Sequence, residues 1–136
     1  MRQRTLVLIK PDAVAAGNAG RILSRYEDAG FRFEAMELRT IDDAMAERHY
    51  AEHVQRDFYP GLRDFITSGP LLAVVLSGDD VIAGVRALHG ATDPAAAESG
   101  TIRADFAESV RRNAVHASDS PSSAEAEIAL WFPGSR

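Results

Sequence analysis

Gly69-Pro70-Leu71-Leu72-Ala73-Val74-Val75-Leu76 is the stretch on which the fold turns. Six consecutive apolar residues follow a Gly-Pro break. The run is too short for an ordinary helix and has no polar residue at alternate positions, as in a central strand covered on both faces. Immediately after it, Asp79 or Asp80 is placed to cap a helix that turns Val81, Val85 and Leu88 inward. Working back toward the N-terminus, residues 5–10 read as a second buried strand. Residues 19–29 put Ile22, Leu23 and Tyr26 on one helical face, with Gly30 as the C-cap. Residues 32–39 form a strand of less clean alternation. Residues 43–54 suit a helix capped by Asp42 or Asp43, and Pro60 opens a short helix carrying Leu62, Phe65 and Ile66. Toward the C-terminus, residues 90–112 read as a long loop with one helical turn around Asp105–Val110, and loops of that length are usually functional. A short strand at Asn113–His116 and a helix from Pro121 to Trp131 close the chain.

The order β-α-β-α-β-α-β-α contains two β-α-β units. It predicts a ferredoxin-like α/β (α+β) sandwich, a four-stranded antiparallel sheet with flanking helices. A doubly wound parallel sheet is the alternative. Either arrangement leaves Lys10 and His116 at strand ends that can face one cleft. The 136 residues predict one domain spanning 1–136.

The net charge of −5 disfavours nucleic acid or an anionic membrane as an obligatory partner, without excluding a local basic cleft. The absence of cysteine rules out disulfides and thiolate zinc sites and fits a reducing, cytoplasmic setting. Arg2 and Arg4 before an apolar run imitate a secretory leader, but the run is too short for one, and no stretch is long enough to span a membrane.

Of the 15 basic residues, Lys10 is the sole lysine. A chain that uses arginine everywhere else keeps a compact three-donor ammonium at a strand end, where Pro11 holds it extended. His116 lies just before the helix start at Ser120-Pro121. An ordinary imidazole is largely neutral at pH 7, so a histidine beside a helix N-terminus suits a group that attacks and then carries an anion. Arg86, Thr92, Arg103 and Asn113 are scattered anion binders. A single arginine is ordinarily a solvated charge, but with Lys10 and His116 the set reads as a polyphosphate cradle.

Other chemistries drop out. No glycine-rich loop precedes the lysine, and neither G-x-G-x-x-G nor G-x-S-x-G occurs. His49 and His53 lie four residues apart, but without the H-E-x-x-H pattern they read as a solvated or substrate-facing helix surface rather than metal ligands.

Several segments carry a family resemblance. Asn113-Ala114-Val115-His116-Ala117-Ser118-Asp119-Ser120 and Ser123-Ala124-Glu125-Ala126-Glu127-Ile128-Ala129-Leu130-Trp131-Phe132 are similar to the active-site signature of nucleoside diphosphate kinases. Ile9-Lys10-Pro11-Asp12, His49-Tyr50, Phe58-Tyr59-Pro60-Gly61-Leu62, Ser68-Gly69-Pro70, Thr92-Asp93-Pro94 and Gly100-Thr101-Ile102-Arg103 fall in that family's order and spacing. The chain resembles the family along essentially its whole length.

The resemblance implies transfer of the γ-phosphate from a nucleoside triphosphate to a nucleoside diphosphate, maintaining NTP and dNTP pools. The route would be ping-pong through a pros-phosphohistidine at His116. It assigns Glu127 to orient the imidazole and Ser118 to position that carboxylate. Arg86, Thr92 and Arg103 would hold phosphates, and Lys10 and Asn113 the ribose hydroxyls, with Lys10 also near the moving phosphoryl group and Tyr50 supporting it. The base would lie between Phe58 and Val110 with Leu62 nearby. Mg²⁺ would bridge the phosphates without a protein ligand. A homo-oligomer is implied, a hexamer built from dimers or alternatively a tetramer. A non-catalytic nucleotide-binding regulatory module on the same fold is the rival function, and a histidine-dependent phosphate-ester hydrolase is another.

Four departures matter. The family usually has glycine at Ala13 and Ala117, and if Ala117 must take φ > 0 the cost is about 1–2 kcal/mol. Asp57 stands where proline is common, which is expected to loosen the turn at Phe58. The short ending Trp131–Arg136 implies that subunit contacts made by longer tails are absent or replaced.

Overall fold

In the computed structural model, residues 1–134 are described, so the last two residues of the C-terminal stretch, Ser135 and Arg136, lie outside the described residues. Four strands form one sheet: β1 (Arg2–Ile9), β2 (Arg32–Arg39), β3 (Leu71–Asp79) and β4 (Val115–Ala117), in the order β2-β3-β1-β4. Every pairing is antiparallel, which gives the ferredoxin-like sandwich and removes the doubly wound parallel alternative. The helices are α1 (Pro11–Ala15), α2 (Ala19–Asp28), α3 (Asp43–His49), α4 (Tyr59–Ile66), α5 (Val81–His89), α6 (Ile102–Phe106) and α7 (Pro121–Trp131).

Why β3 reads as an unbroken apolar run is now visible. Its alternate residues feed two separate cores. Leu72, Val74 and Leu76 join Val7 and Ile9 of β1 against Ile22, Tyr26, Val81 and Val85. Leu71, Ala73 and Val75 join Leu6 and Leu8 against Ala46, Ile66, Ile128 and Trp131. A strand with a core on each side has no solvent face on which to carry polar residues. The outer strand β2 keeps a partly exposed pattern, with Met36 and Leu38 at 45% and 62% exposure.

Several boundaries differ from the sequence expectation. The helix expected over 43–54 stops at His49, and the chain continues through successive turns closed by His53 N to Tyr50 O and Arg56 N to His53 O. Beyond His49 no apolar stripe remains to hold a helix against the sheet. Asp42 caps α3 by accepting from Met45 N at 2.9 Å. Neither Asp79 nor Asp80 caps α5 in that way. Asp79 ends β3, and Asp80 takes a left-handed conformation (φ 50) with its carboxylate 3.5 Å from the N-terminal amine. Helix α1 was not anticipated, because five residues are too few to show a period, although Pro11 is a proper first helical residue. Within the 90–112 loop the helical turn falls at Ile102–Phe106, earlier than expected, with Thr101 capping it through Ala104 N.

The strain expected at Ala117 does not arise there. Ala117 lies in β4, and among the described residues the only non-glycine residues with positive φ are Asp80 and Ala114 (φ 73). The cost of about 1–2 kcal/mol therefore falls on Ala114, two residues before His116. Ala13 sits buried in the short helix α1 and packs in the first core, so neither alanine needs glycine's freedom. No helix of the described residues is long and apolar enough to cross a membrane.

Candidate active site

One cavity of about 390 Å³ opens where β1, β4, α5 and α7 meet, and it gathers residues far apart in sequence. Lys10 enters from the end of β1, Arg86 and His89 from the end of α5, and Thr92, Arg103 and Asn113 from the loop segment. His116 comes from β4 and Glu127 from α7.

His116 is held by one ring nitrogen only. Its Nε2 lies 3.0 Å from Glu127 Oε1. Burial would push the Glu127 carboxyl up, but hydrogen bonding from His116, the nearby imidazole charge and Ser118 outweigh it and hold Glu127 below its ordinary value. An ionised carboxylate can only accept, so Nε2 carries the proton and donates. In the neutral ring this selects the tautomer with the lone pair on Nδ1. Ser118 donates to the same Glu127 oxygen at 2.7 Å while its own Oγ accepts from Leu6 N. Fully buried beneath the sheet edge, Ser118 thus ties the carboxylate to β1.

Lys10 is only 7% exposed and donates through Nζ to Asn113 Oδ1 at 2.9 Å. Burial, followed by the charge of Arg103, lowers its pKa to about 8 against the opposing pull of Asp12. An ordinary lysine would stay charged to about pH 10. Because the folded value is the lower one, charged Lys10 opposes folding below pH ~8, and that penalty fades as pH rises toward the unfolded value. The ammonium is therefore kept in the cleft at the expense of stability. If it contacts an anionic substrate, kcat/KM should fall as pH rises through about 8. A Lys10→Arg enzyme, although slower, should lack that alkaline limb. A wild-type profile flat to pH 10 would contradict the assignment.

Arg86 is exposed at the rim and has no hydrogen-bond or ion-pair partner among the described residues. Arg103 is different. Its Nε, Nη1 and Nη2 donate to the carbonyls of Asn113, Gly90 and Val115, so three of its five N–H groups brace backbone. Thr92 lines the cleft from an exposed position. Tyr50 does not line this cavity but an adjoining groove of about 580 Å³ that shares His116 and Glu127 with it. Phe58, Leu62 and Val110 line neither. Phe58 and Val110 stand 47% and 56% exposed. Their elements do approach each other, since Arg111 lies against Gly61 and the Arg112 guanidinium sits 5.5 Å from the Phe65 ring.

Two further histidines stand at the site. Of the two surroundings expected for His49, solvated or substrate-facing, the structure gives it the groove-facing one: it is partly buried and lines the groove shared with His116. Its ring stands edge-on to His116 at 4.8 Å, and its Nδ1 accepts from Trp131 Nε1 at 3.0 Å. Burial, then the neighbouring His116, pushes its pKa down to about 3, so it is neutral. His89 also lines the cleft, and its Nε2 lies 2.6 Å from Tyr26 Oη in the core. No local pattern announced either contact, because each partner is remote in sequence.

His49, His116 and Glu127 place potential ligand atoms within 4.8 Å of one another. The bonds just described argue against a metal there. His49 Nδ1 is taken by the indole, and Glu127 is engaged by His116 and Ser118. The other lining carboxylate, Asp119, is exposed and makes no hydrogen bond among the described residues. The donor set fits a hard cation that arrives on a polyphosphate rather than one caged by protein.

An imidazole held through Nε2 by a carboxylate, beside a cleft walled by lysine and arginine on a ferredoxin-like sandwich, is the arrangement of a phosphoryl-transfer enzyme. The chain belongs to the nucleoside diphosphate kinase family, whose sequence profile matches residues 3–136. It is 62% identical over 134 residues to the nucleoside diphosphate kinase of Nocardioides sp., covering 98% of this chain and 99% of that one. It is 58% identical to that of Rhodococcus erythropolis, covering 98% and 96%. The crystal structure of the Aquifex aeolicus nucleoside diphosphate kinase superposes with a TM-score of 0.96 at 40% identity, over 98% of this chain and 97% of that one. The protein is thus an enzyme, a phosphotransferase of nucleotide metabolism, and the non-catalytic alternative is set aside.

Proposed function

We propose that the enzyme moves the γ-phosphate of a nucleoside triphosphate to a nucleoside diphosphate in two half-reactions through a phosphohistidine at His116. The observation that carries this reading is the Glu127–Nε2 hydrogen bond, which leaves Nδ1 with its lone pair beside the cationic cleft. In the first half-reaction Nδ1 attacks the γ-phosphorus. The bond to the β–γ bridging oxygen breaks, and the diphosphate departs with that electron pair. Glu127 stabilises the charge that develops on the ring. In the second, a terminal oxygen of the acceptor diphosphate attacks the phosphohistidine phosphorus and the P–N bond breaks, returning the pair to Nδ1.

Position and charge supply most of the acceleration in phosphoryl transfer. Arg86, Thr92 and the unused N–H groups of Arg103 would hold the phosphates. Lys10 and Asn113 would meet the ribose hydroxyls, with Lys10 also beside the transferring group and Tyr50 supporting it. Phe58, Val110 and Leu62 would enclose the base once a nucleotide draws α4 and the 110–112 segment together. Mg²⁺ bound to the phosphates would neutralise charge on them, with Asp119 the carboxylate free to face it.

We also propose that residues 1–136 form one domain and that the enzyme works in the cytoplasm to maintain NTP and dNTP pools. It would assemble as a homo-oligomer, a hexamer or a tetramer, with the free β2 edge and its exposed Met36 and Leu38 as a dimer surface. Light scattering showing a stable monomer at micromolar concentration would overturn the assembly. Initial rates with both substrates varied test the mechanism. Parallel lines in double-reciprocal plots are expected, whereas intersecting lines would mean direct transfer in a ternary complex.

A further inference from the structure

Ala114 is the left-handed centre of a three-residue turn closed by Val115 N donating to Asn113 O at 2.9 Å. A β-carbon at φ 73 makes this conformation unfavourable for alanine, so the surroundings must impose it. They do so through four backbone groups of the turn, bonded to Lys10, Asp12 and Arg103. Asp12 Oδ2 accepts from Ala114 N at 3.0 Å, and Lys10 N donates to Ala114 O at 2.8 Å. Arg103 donates to the carbonyls on either side, Asn113 O and Val115 O. Pro11, between Lys10 and Asp12, starts α1 and fixes the two grips relative to each other.

Asp12 is the one side chain that secures the N–H of the strained residue. It is buried, and its second oxygen, Oδ1, has no hydrogen-bond partner. Burying a carboxylate with half its capacity unused is costly and needs a reason. The turn separates Asn113 from His116. Its shape therefore sets both the amide that receives Lys10 and the register in which β4 presents the imidazole.

We propose that Asp12 is a positioning residue for phosphoryl transfer, acting as the acceptor that latches the Ala114 turn and so aligns Asn113 and His116 in the cleft. This rests on reading His116 as the phosphoryl acceptor. That reading is checked separately by whether the wild-type enzyme takes label from γ-labelled ATP.

The test compares Asp12→Asn, Asp12→Ala and Asp12→Ala with Ala114→Gly, in the full-length protein at pH 7. The readouts are the single-turnover rate of His116 phosphorylation and the KM for the diphosphate. Asparagine keeps an acceptor oxygen, so Asp12→Asn should stay within about fivefold of wild type. Asp12→Ala should slow phosphorylation at least tenfold and raise KM. Glycine adopts positive φ without the steric penalty, so in the Ala114→Gly background the loss on removing Asp12 should shrink to threefold or less. Should Asp12→Ala fail to fold, recovery of a folded, active enzyme by Ala114→Gly reads the same latch, and failure to recover overturns it. Equal losses for asparagine and alanine would show that charge beside Lys10 is what matters. An unchanged rate for Asp12→Ala, or an undiminished loss in the glycine background, would likewise sink the proposal.

Discussion

Replacing His116 with alanine is expected to lower kcat/KM for transfer between nucleotides by about 10⁴-fold or more, in line with the loss of other nucleophiles that act as a unit with their orienting groups. Among the described residues of the cleft, His89 turns its Nε2 to Tyr26 in the core, whereas His116 keeps Nδ1 without a protein partner beside Lys10 and Arg86. The fold should survive the change. Glu127 keeps its hydrogen bond from Ser118, and His116 is not among the buried core residues. Steady-state kinetics beside a thermal melt separate the two effects. Activity within tenfold of wild type would mean that the phosphoryl group passes directly between nucleotides.

The largest effect on stability is expected at Trp131. The indole is 1% exposed and fills the second core, where it packs with Leu6, Leu8 and Ile128. Arg39 stacks 4.6 Å above the ring, and the N–H reaches His49. Trp131→Ala should cost about 3–5 kcal/mol, a large share of a domain's usual stability of about 5–15 kcal/mol. Trp131→Phe restores most of the packing but leaves His49 Nδ1 without its donor, so it should still cost about 1–3 kcal/mol. Urea unfolding followed by circular dichroism gives both values. An alanine variant within 1 kcal/mol of wild type would show that the core closes over the gap.

The parts of the fold that could be read from the sequence are those marked by apolar runs and by cap or break residues. Strand β3 follows the Gly69-Pro70 break, helix α7 begins at Pro121 behind the Ser120 cap and ends at Trp131, and β2 spans 32–39, as expected. What escaped was set by tertiary contact. Helix α1 is a single turn, and Asp80 leaves its capping geometry to meet the N-terminus. The left-handed residue is an alanine that nothing in its neighbours marks. The candidate site divides in the same way. Lys10 could be picked out as the sole lysine and by its place at the end of β1, and His116 by its place just before the helix start at Ser120-Pro121, although it is the middle residue of β4 and not its end. The family resemblance supplied roles for the rest. Asp12 and His49 fall in segments that carry the family resemblance, but their contacts were not legible because their partners, Ala114 and Trp131, lie 102 and 82 residues away. The sequence marks Arg103 as an anion binder but not that three of its N–H groups also hold backbone.

The most direct measurement is incubation of the enzyme with γ-labelled ATP in the absence of any acceptor, followed by acid and base treatment and mapping of the label. A phosphoramidate on His116 is expected, stable in base and lost in acid, absent from His116→Ala, retained when His49, His53 or His89 is replaced, and discharged by added diphosphate. An acid-stable label on Ser118 or Ser120, or no label at all, would contradict the phosphohistidine route.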